Sequence, residues 1–201
     1  LVAPLFFSKY EDLNNILIIG HGGGTIAKYY SDFYKEKRKV VVDIRPKLFD
    51  ISRQFFSYVP DENTSFVPSD ASIFINKART EKDKYDIINV DIFFDGPSDI
   101  QLTHYFWDNI SNILSYGGIS VSNVWRGEHI EKYNKILENH KSVFKTVFEI
   151  ANSDTMQVAM FGSNYPFEML MHPDLYTKSI EMSGLTALDF RTHVSNIRRL
   201  K

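Results

Sequence analysis

The sequence predicts an α/β protein built on a doubly wound, mostly parallel seven-stranded sheet that closes with an antiparallel C-terminal hairpin. Three observations support this prediction. An apolar run at residues 15–19 leads into a glycine-rich stretch at 20–24 and then into a helical pattern. Strand and helix patterns alternate five times along the first part of the chain. Later, strand patterns at 142–150 and 155–162 are separated by only four residues, too few for a parallel crossover.

Apolar spacing and helix-ending residues define the elements of the alternating part. Strands are predicted at residues 16–19, 39–43, 64–67, 85–91 and 119–124, and helices at 25–37, from 46, at 71–78, 103–114 and 128–140. Pro46 suits the first turn of the second helix, where its missing N–H is not needed. Gly117 and Gly118 are predicted to end the fourth helix as a C-cap pair. This alternation places helices on both faces of a parallel sheet.

The rest of the chain is predicted to complete the same domain. The two strands after the fifth helix pair antiparallel, and a final helix is predicted at residues 188–200. We therefore expect a single domain over residues 1–201, with a core at 15–162 and a C-terminal extension at 163–201.

Composition excludes several functional classes. Hydrophobic residues make up 43% and charged residues 24%, which is enough for a large core. The net charge of −2 predicts neither a nucleic-acid partner nor an anionic membrane surface. The chain has no cysteine, and its six histidines lack ligand spacing, so we expect no metal site. The absence of cysteine is also typical of a cytoplasmic protein.

The glycine-rich stretch and the acid after the second strand together predict a nucleotide or nucleoside site. Asp43 follows Gly24 by 19 positions (43 − 24), close to the spacing of about 20 for a carboxylate that binds ribose hydroxyls. Thr25 stands where a dinucleotide fingerprint has its last glycine, which weakens a nicotinamide interpretation and leaves an adenosyl one open. His21 lies within the turn and is expected to be a surface ring.

Several blocks in order carry a resemblance to a known family. The blocks are residues 18–28, which contain the glycines; residues 41–46, which contain Asp43; residues 69–71, which read Ser-Asp-Ala; residues 85–91, which end in Asp91; and the helix and Gly-Gly turn within residues 102–121. The chain resembles the spermidine synthase-like branch of class I S-adenosylmethionine-dependent transferases, and the likeness covers about residues 10 to 162. The resemblance implies a methyltransferase-like Rossmann sheet and a role in polyamine biosynthesis.

The resemblance also implies roles for individual residues. One set of residues is expected to bind S-adenosylmethionine or its decarboxylated form, which would be the substrate. The members of this cofactor-binding set are Gly20, Gly22, Gly24, Asp43, Asp70 and Ala71. Asp70 can equally be explained as a helix N-cap, and both roles can coexist. Asp91 is the predicted catalytic carboxylate, which would take a proton from a small-molecule amine and orient its nitrogen. The family's second aspartate, three residues on, is Phe94 here, so Asp95 is the expected substitute.

The predicted function is therefore transfer of an aminopropyl group from decarboxylated S-adenosylmethionine to an amine. Two alternatives stay open: a small-molecule methyltransferase on the same sheet, and a non-catalytic nucleoside-binding or scaffold member. Family synthases carry a small N-terminal β domain that helps close the amine pocket, whereas only about 15 residues precede the first strand here. The resemblance consequently leaves a homodimer open, with a partner chain completing the pocket.

Overall fold

An eight-stranded sheet forms the centre of the computed structural model, which describes residues 13–93, 98–128, 130–151, 156–166, 175–186, 189–190, 194 and 196–201. Its strands are β1 (Asn15–Ile19), β2 (Arg38–Asp43), β3 (Thr64–Pro68), β4 (Tyr85–Val90), β5 (Leu114–Trp125), β6 (Thr146–Ala151), β7 (Gln157–Ser163) and β8 (Ile197–Arg199). The helices of these ranges are α1 (Thr25–Phe33), α2 (Lys47–Phe55), α3 (Ala71–Glu81), α4 (His104–Ile113), α5 (Ile130–Val143) and α6 (Leu175–Thr186). A short 3-10 helix, Asp99–Leu102, precedes α4.

The strands lie in the order β3-β2-β1-β4-β5-β7-β6-β8. The first five strands in this order are parallel, whereas β7 pairs antiparallel with both β5 and β6. The chain order reverses between β1 and β4, which places a switch point at the centre of the parallel half. The predicted mostly parallel sheet with an antiparallel C-terminal hairpin is confirmed.

The core forms two layers because alternate residues of each strand face opposite sides of the sheet. On β1, Ile16 and Ile18 pack with α1, whereas Leu17 and Ile19 pack in the layer that contains residues of α3, α4 and α5. All four side chains are at most 1% exposed. Strands buried on both faces read as continuous apolar runs, which is the pattern that predicted a parallel sheet.

The prediction of seven strands was wrong by one. Residues 197–199, placed in a final helix by the sequence analysis, form β8 and pair antiparallel with β6. Arg198 of β8 also forms an ion pair with Glu149 of β6. This pairing joins residues about 50 positions apart, so the local pattern around β8 held no sign of it.

The predicted C-cap at Gly117 and Gly118 was also wrong. Helix α4 ends at Ile113, and both glycines lie within β5, which therefore starts five residues before its predicted beginning at residue 119. Gly117 has a φ of +77°, and the β4–β5 register shifts beside it, between Tyr85 and Ile87. A glycine at positive φ is typical of a β-bulge as well as of a helix end. Helix α5 extends to Val143, so the hairpin begins at Thr146 rather than at residue 142.

None of the described helices combines the length and the apolar character needed to cross a membrane.

Candidate active site

The carboxyl ends of the parallel strands meet in a single row. The register pairs Ile19 with Val42 and with Val90, so the next residue of each strand, Gly20, Asp43 and Asp91, lies at the same level. Backbone hydrogen bonds extend this level, because the N–H of Gly20 donates to Val42 at 2.8 Å and that of Asp91 donates to Ile19 at 2.8 Å. The sheet itself therefore brings the two acids and the first glycine together.

Gly20 is required where β1 and β4 end side by side. Its φ is +95°, and a Cβ there would stand 2.1 Å from the carbonyl oxygen of Asp91. Any other residue would both strain this backbone and push the end of β4 away. The close approach keeps Asp91 beside the glycine turn.

A cleft of about 340 Å³ lies over this row of strand ends. Five of the predicted site residues line it: Gly20, Asp43, Asp70, Ala71 and Asp91. Gly22 and Gly24 belong to the same turn but are not among the described residues that line the cleft. Gly22 is exposed, and Gly24 is buried at the start of α1, where a Cβ would meet the rings of His21 and Tyr58.

Asp43 is held by three donors at the end of β2. Its Oδ2 accepts from the His21 N–H at 2.9 Å, and its Oδ1 accepts from the Arg45 N–H at 2.9 Å and from Arg45 Nε at 3.2 Å. Burial alone would raise the pKa of Asp43, but these hydrogen bonds and the Arg45 charge outweigh it and hold the pKa below its usual value. Asp43 is therefore an ionised acceptor at neutral pH, fastened to the glycine turn.

The expectation that His21 is a surface ring was wrong. The residue is 5% exposed, and its Nε2 lies 2.7 Å from Ser52 Oγ of α2. The ring contacts Tyr58 and Phe66 edge-on, with centroids 5.2 and 5.5 Å away. Burial lowers its pKa, although the negative charge of Asp43 opposes the shift. The turn thus points the ring of His21 into the core and its backbone N–H at Asp43.

Asp70 has the N-cap role that the sequence analysis considered. Its Oδ1 accepts from the N–H groups of Ser72 at 2.8 Å and Ile73 at 3.4 Å, at the start of α3. Among the described residues no donor is bonded to Oδ2, which stays available to a ligand in the cleft. Ala71 follows at the first helical position, where backbone N–H groups lack helical partners.

Asp91 stands directly after β4 and is partly buried in the cleft wall. Its Oδ1 accepts one hydrogen bond, at 3.0 Å, from Nδ2 of Asn123 on the neighbouring strand β5. Asp95, the other predicted catalytic residue, lies outside the described residues.

Hydrogen bonds of Gln101 hold the part of the cleft wall that follows Asp91 along the chain. Gln101, fully buried in the 3-10 helix, donates from Nε2 to the carbonyl of Ile92 at 3.0 Å. The backbone carbonyl of Gln101 accepts a hydrogen bond from Trp107 Nε1 at 2.7 Å. The cleft-lining residues Ile92 and Ile100 are therefore tied to α4.

Sequence reasoning missed two residues at this edge, Arg45 and Asn123. Arg45 lines the cleft and forms an ion pair with Asp43, which lies two positions earlier in the chain. This short spacing between opposite charges could have predicted the ion pair from the sequence. Asn123 could have been found only from the β4–β5 register, which places it next to Asp91.

The strand order, the antiparallel pair and a cleft at the carboxyl edge define a class: α/β proteins with a methyltransferase-like sheet. Two solved structures share the fold. Human methyltransferase-like protein 13 in complex with SAH has a TM-score of 0.78 at 18% identity, covering 94% of this chain and 90% of that one. A spermidine synthase in complex with the transition state analogue AdoDATO has a TM-score of 0.75 at 15% identity, covering 97% and 67%.

The chain belongs to the spermine/spermidine synthase domain family, whose pattern it matches over residues 2–179. A polyamine aminopropyltransferase of Chromobacterium violaceum is 28% identical over 197 residues, which cover 94% of this chain and 72% of that protein. A second one, from Vibrio vulnificus, is 29% identical over 150 residues. The chain spans about half of that relative's length, 47%.

Proposed function

We propose that this protein is a polyamine aminopropyltransferase that uses decarboxylated S-adenosylmethionine as donor and a small-molecule amine as acceptor. The observation that carries the proposal is the meeting of Asp43, Asp70 and Asp91 in one cleft beside the glycine turn. Family membership and the aminopropyltransferase relatives support the same reaction.

The nucleoside half of the cleft fits an adenosyl group. Asp43 is ionised and would accept the ribose hydroxyls; Oδ2 carries one protein donor and keeps acceptor capacity. At Oδ1, Arg45 Nε belongs to a side chain that is 58% exposed and can move aside for a ribose hydroxyl. Asp70 Oδ2 would accept from the adenine amine, and Ala71 offers a free backbone N–H. The cleft volume of about 340 Å³ lies within the range of small-molecule pockets.

The other half of the cleft fits the chemistry of amine alkylation. The nucleophile must be a neutral amine, although most free amines are protonated at pH 7. The nitrogen lone pair would form a bond to the propyl carbon while the carbon–sulfur bonding pair goes to sulfur, which releases methylthioadenosine. The proton left on nitrogen would pass to Asp91, which lines the cleft and also attracts a cationic substrate.

A small-molecule methyltransferase on the same sheet is the second candidate, although the family match and the aminopropyltransferase relatives favour the first. The structure of highest fold similarity cited above is a methyltransferase-like protein bound to SAH, with a TM-score of 0.78. Both candidates place a nucleoside over the same strand ends, and they differ in the group that is transferred.

The experiment that separates them is a transfer assay with each donor. The purified protein is incubated with a diamine such as putrescine and either S-adenosylmethionine or its decarboxylated form, and products are followed by mass spectrometry. We expect an aminopropyl adduct and methylthioadenosine from the decarboxylated donor. A methylated amine from the intact donor would favour the second candidate. Nucleoside binding without turnover across a panel of diamines and polyamines would indicate a non-catalytic member.

A further inference from the structure

The two acids at the centre of the cleft are held in very different ways. Asp43 accepts three hydrogen bonds from the protein, which occupy both of its oxygens. Asp91 accepts a single one among the described residues, on Oδ1, from the amide of Asn123. One oxygen of Asp91 is thus fixed by the protein, and Oδ2 is left for a ligand.

Asn123 lies one residue beyond the last β4–β5 pair and is itself paired with β7. It lies in the middle of the sheet, on β5 between β4 and β7, and its Cα partner on β7 is Ala159. The pairing of Val90 with Ser122 puts the next residues, Asp91 and Asn123, side by side at the edge of the ladder. The backbone of Asn123 is thus fixed by strand pairing, and its side chain needs to span only the gap to the neighbouring strand end to reach Asp91 at 3.0 Å.

We propose that Asn123 is a positioning residue that fixes Asp91 so that Oδ2 receives the proton of the attacking amine. This inference rests on the proposed aminopropyl transfer. The amide N–H occupies Oδ1 and restricts rotation of the carboxylate, so that Oδ2 is the oxygen presented to the amine. As nitrogen bonds to carbon and the carbon–sulfur pair moves to sulfur, the released proton binds Oδ2 while Oδ1 stays bonded to Nδ2.

The test is a set of substitutions at residue 123 with a matched control. Asn123→Ala removes the donor, Asn123→Asp keeps the shape but faces Asp91 with a second carboxylate, and Asn123→Gln restores a donor on a longer side chain. Asn112→Ala removes an exposed amide from α4, whose Nδ2 bonds only within that helix, to Asp108.

We expect kcat to fall about tenfold in Asn123→Ala, the size of one hydrogen bond to a charged group. In Asn123→Asp the acidic limb of the kcat–pH profile should move to higher pH, because a second carboxylate then faces Asp91. Asn123→Gln should recover part of the rate. The KM for the nucleoside donor and all constants of Asn112→Ala should stay at their wild-type values.

A wild-type kcat in Asn123→Ala or a wild-type pH profile in Asn123→Asp would overturn the proposal, as would a loss confined to the donor KM. Carbon-13 NMR of aspartate carboxylates supplies a readout that needs no turnover. The titration midpoint of the Asp91 carboxylate, assigned with Asp91→Asn, should rise in Asn123→Asp, where a second carboxylate faces it. An unmoved midpoint overturns the proposal even if the protein transfers nothing, and the wild-type transfer assay separately reports on the proposed function. Asn123→Asp is nearly isosteric, so it keeps the test available if the alanine variant does not fold.

Discussion

The two halves of the sheet use their acidic residues in opposite ways. In the parallel half, Asp43, Asp70 and Asp91 end at an open cleft, and Asp70 and Asp91 each keep one oxygen without a donor among the described residues. In the antiparallel half, Glu149 of β6 is 1% exposed and is surrounded by Arg126, Arg198 and the hydroxyl of Tyr133, the last at 2.7 Å. Asp43 and Glu149 are both buried with three donors, so what separates the two halves is the place of the acid: Asp43 lines the cleft at the strand ends, whereas Glu149 lies inside an ion-pair cluster on β6.

The largest expected effect is on the reaction, at Asp91, which among the three cleft acids accepts the fewest hydrogen bonds from the described residues. Asp91→Asn should lower kcat about 10²- to 10⁴-fold, because the amide cannot accept the amine proton. The affinity for methylthioadenosine and the melting temperature should change little, which calorimetry and thermal unfolding can check. A variant with more than a tenth of the wild-type kcat would remove Asp91 from the chemistry.

The next effect concerns stability, at the buried Glu149 with its three partners. Glu149→Gln leaves Arg126 and Arg198 without a counter-charge, and we expect a loss of about 3 kcal/mol in the free energy of unfolding. For a domain of this size that corresponds to a fall of about 6–12 °C in Tm. Transfer activity measured at low temperature should be retained. An unchanged Tm would mean that this buried cluster adds nothing to the fold.

The third effect is a pH dependence of the folding stability, caused by a buried histidine that stays neutral, unlike the ionised acids above. His140 of α5 is fully buried, with its ring centroid 4.0 Å from that of Trp107, and burial lowers its pKa from 6.5 to about 4. Above pH 6.5 the His140 ring is neutral in both the folded and the unfolded protein. As the pH falls towards 5, the ring takes up a proton in the unfolded chain but stays neutral in the folded one. Stability should therefore drop by about 2 kcal/mol between pH 6.5 and 5.

Urea unfolding at several pH values measures this drop, and His140→Leu provides the comparison. The variant should show a flatter pH dependence over the same interval, whatever its stability at pH 7. Equal slopes for the two proteins would show that His140 does not titrate differently in the folded and unfolded states.

The smallest effect is at the edge of the cleft. Arg45→Ala frees one acceptor position of Asp43 Oδ1, and we expect methylthioadenosine to bind about two- to fivefold more tightly, the scale of an exposed ion pair. Calorimetry under identical salt conditions measures the change. Weaker binding would instead place the Arg45 guanidinium in contact with the ligand.

The same contrast explains how much the sequence could predict. The parallel half was predicted well because each strand is a local apolar run and each acid lies at its carboxyl end, Asp43 as the last residue of β2 and Asp91 directly after β4. The residues that link neighbouring strands were missed. Asn123 reaches Asp91 through the β4–β5 register, and β8 is held to β6 by pairing and by Arg198, none of which leaves a local pattern.

His21 shows a different limit. A glycine-rich turn suggests exposure, but here the chain reverses so tightly that the ring of His21 packs beneath the turn against Tyr58 and Phe66. Its hydrogen bond to Ser52 joins residues 31 positions apart. The direction of a side chain within such a turn depends on the elements below it, which the sequence of the turn does not contain.

The most direct test of the proposed nucleoside site is a calorimetric cycle on the ribose contact proposed for Asp43. Methylthioadenosine and its 2′,3′-dideoxy analogue are titrated into the wild-type protein, into Asp43→Asn and into the control Asp32→Ala, which alters an exposed acid of α1. The account predicts that the wild type and the control prefer the intact ribose by at least tenfold, and that Asp43→Asn loses this preference while keeping its fold. Equal binding of both nucleosides to the wild type, or an undiminished preference in Asp43→Asn, would contradict it.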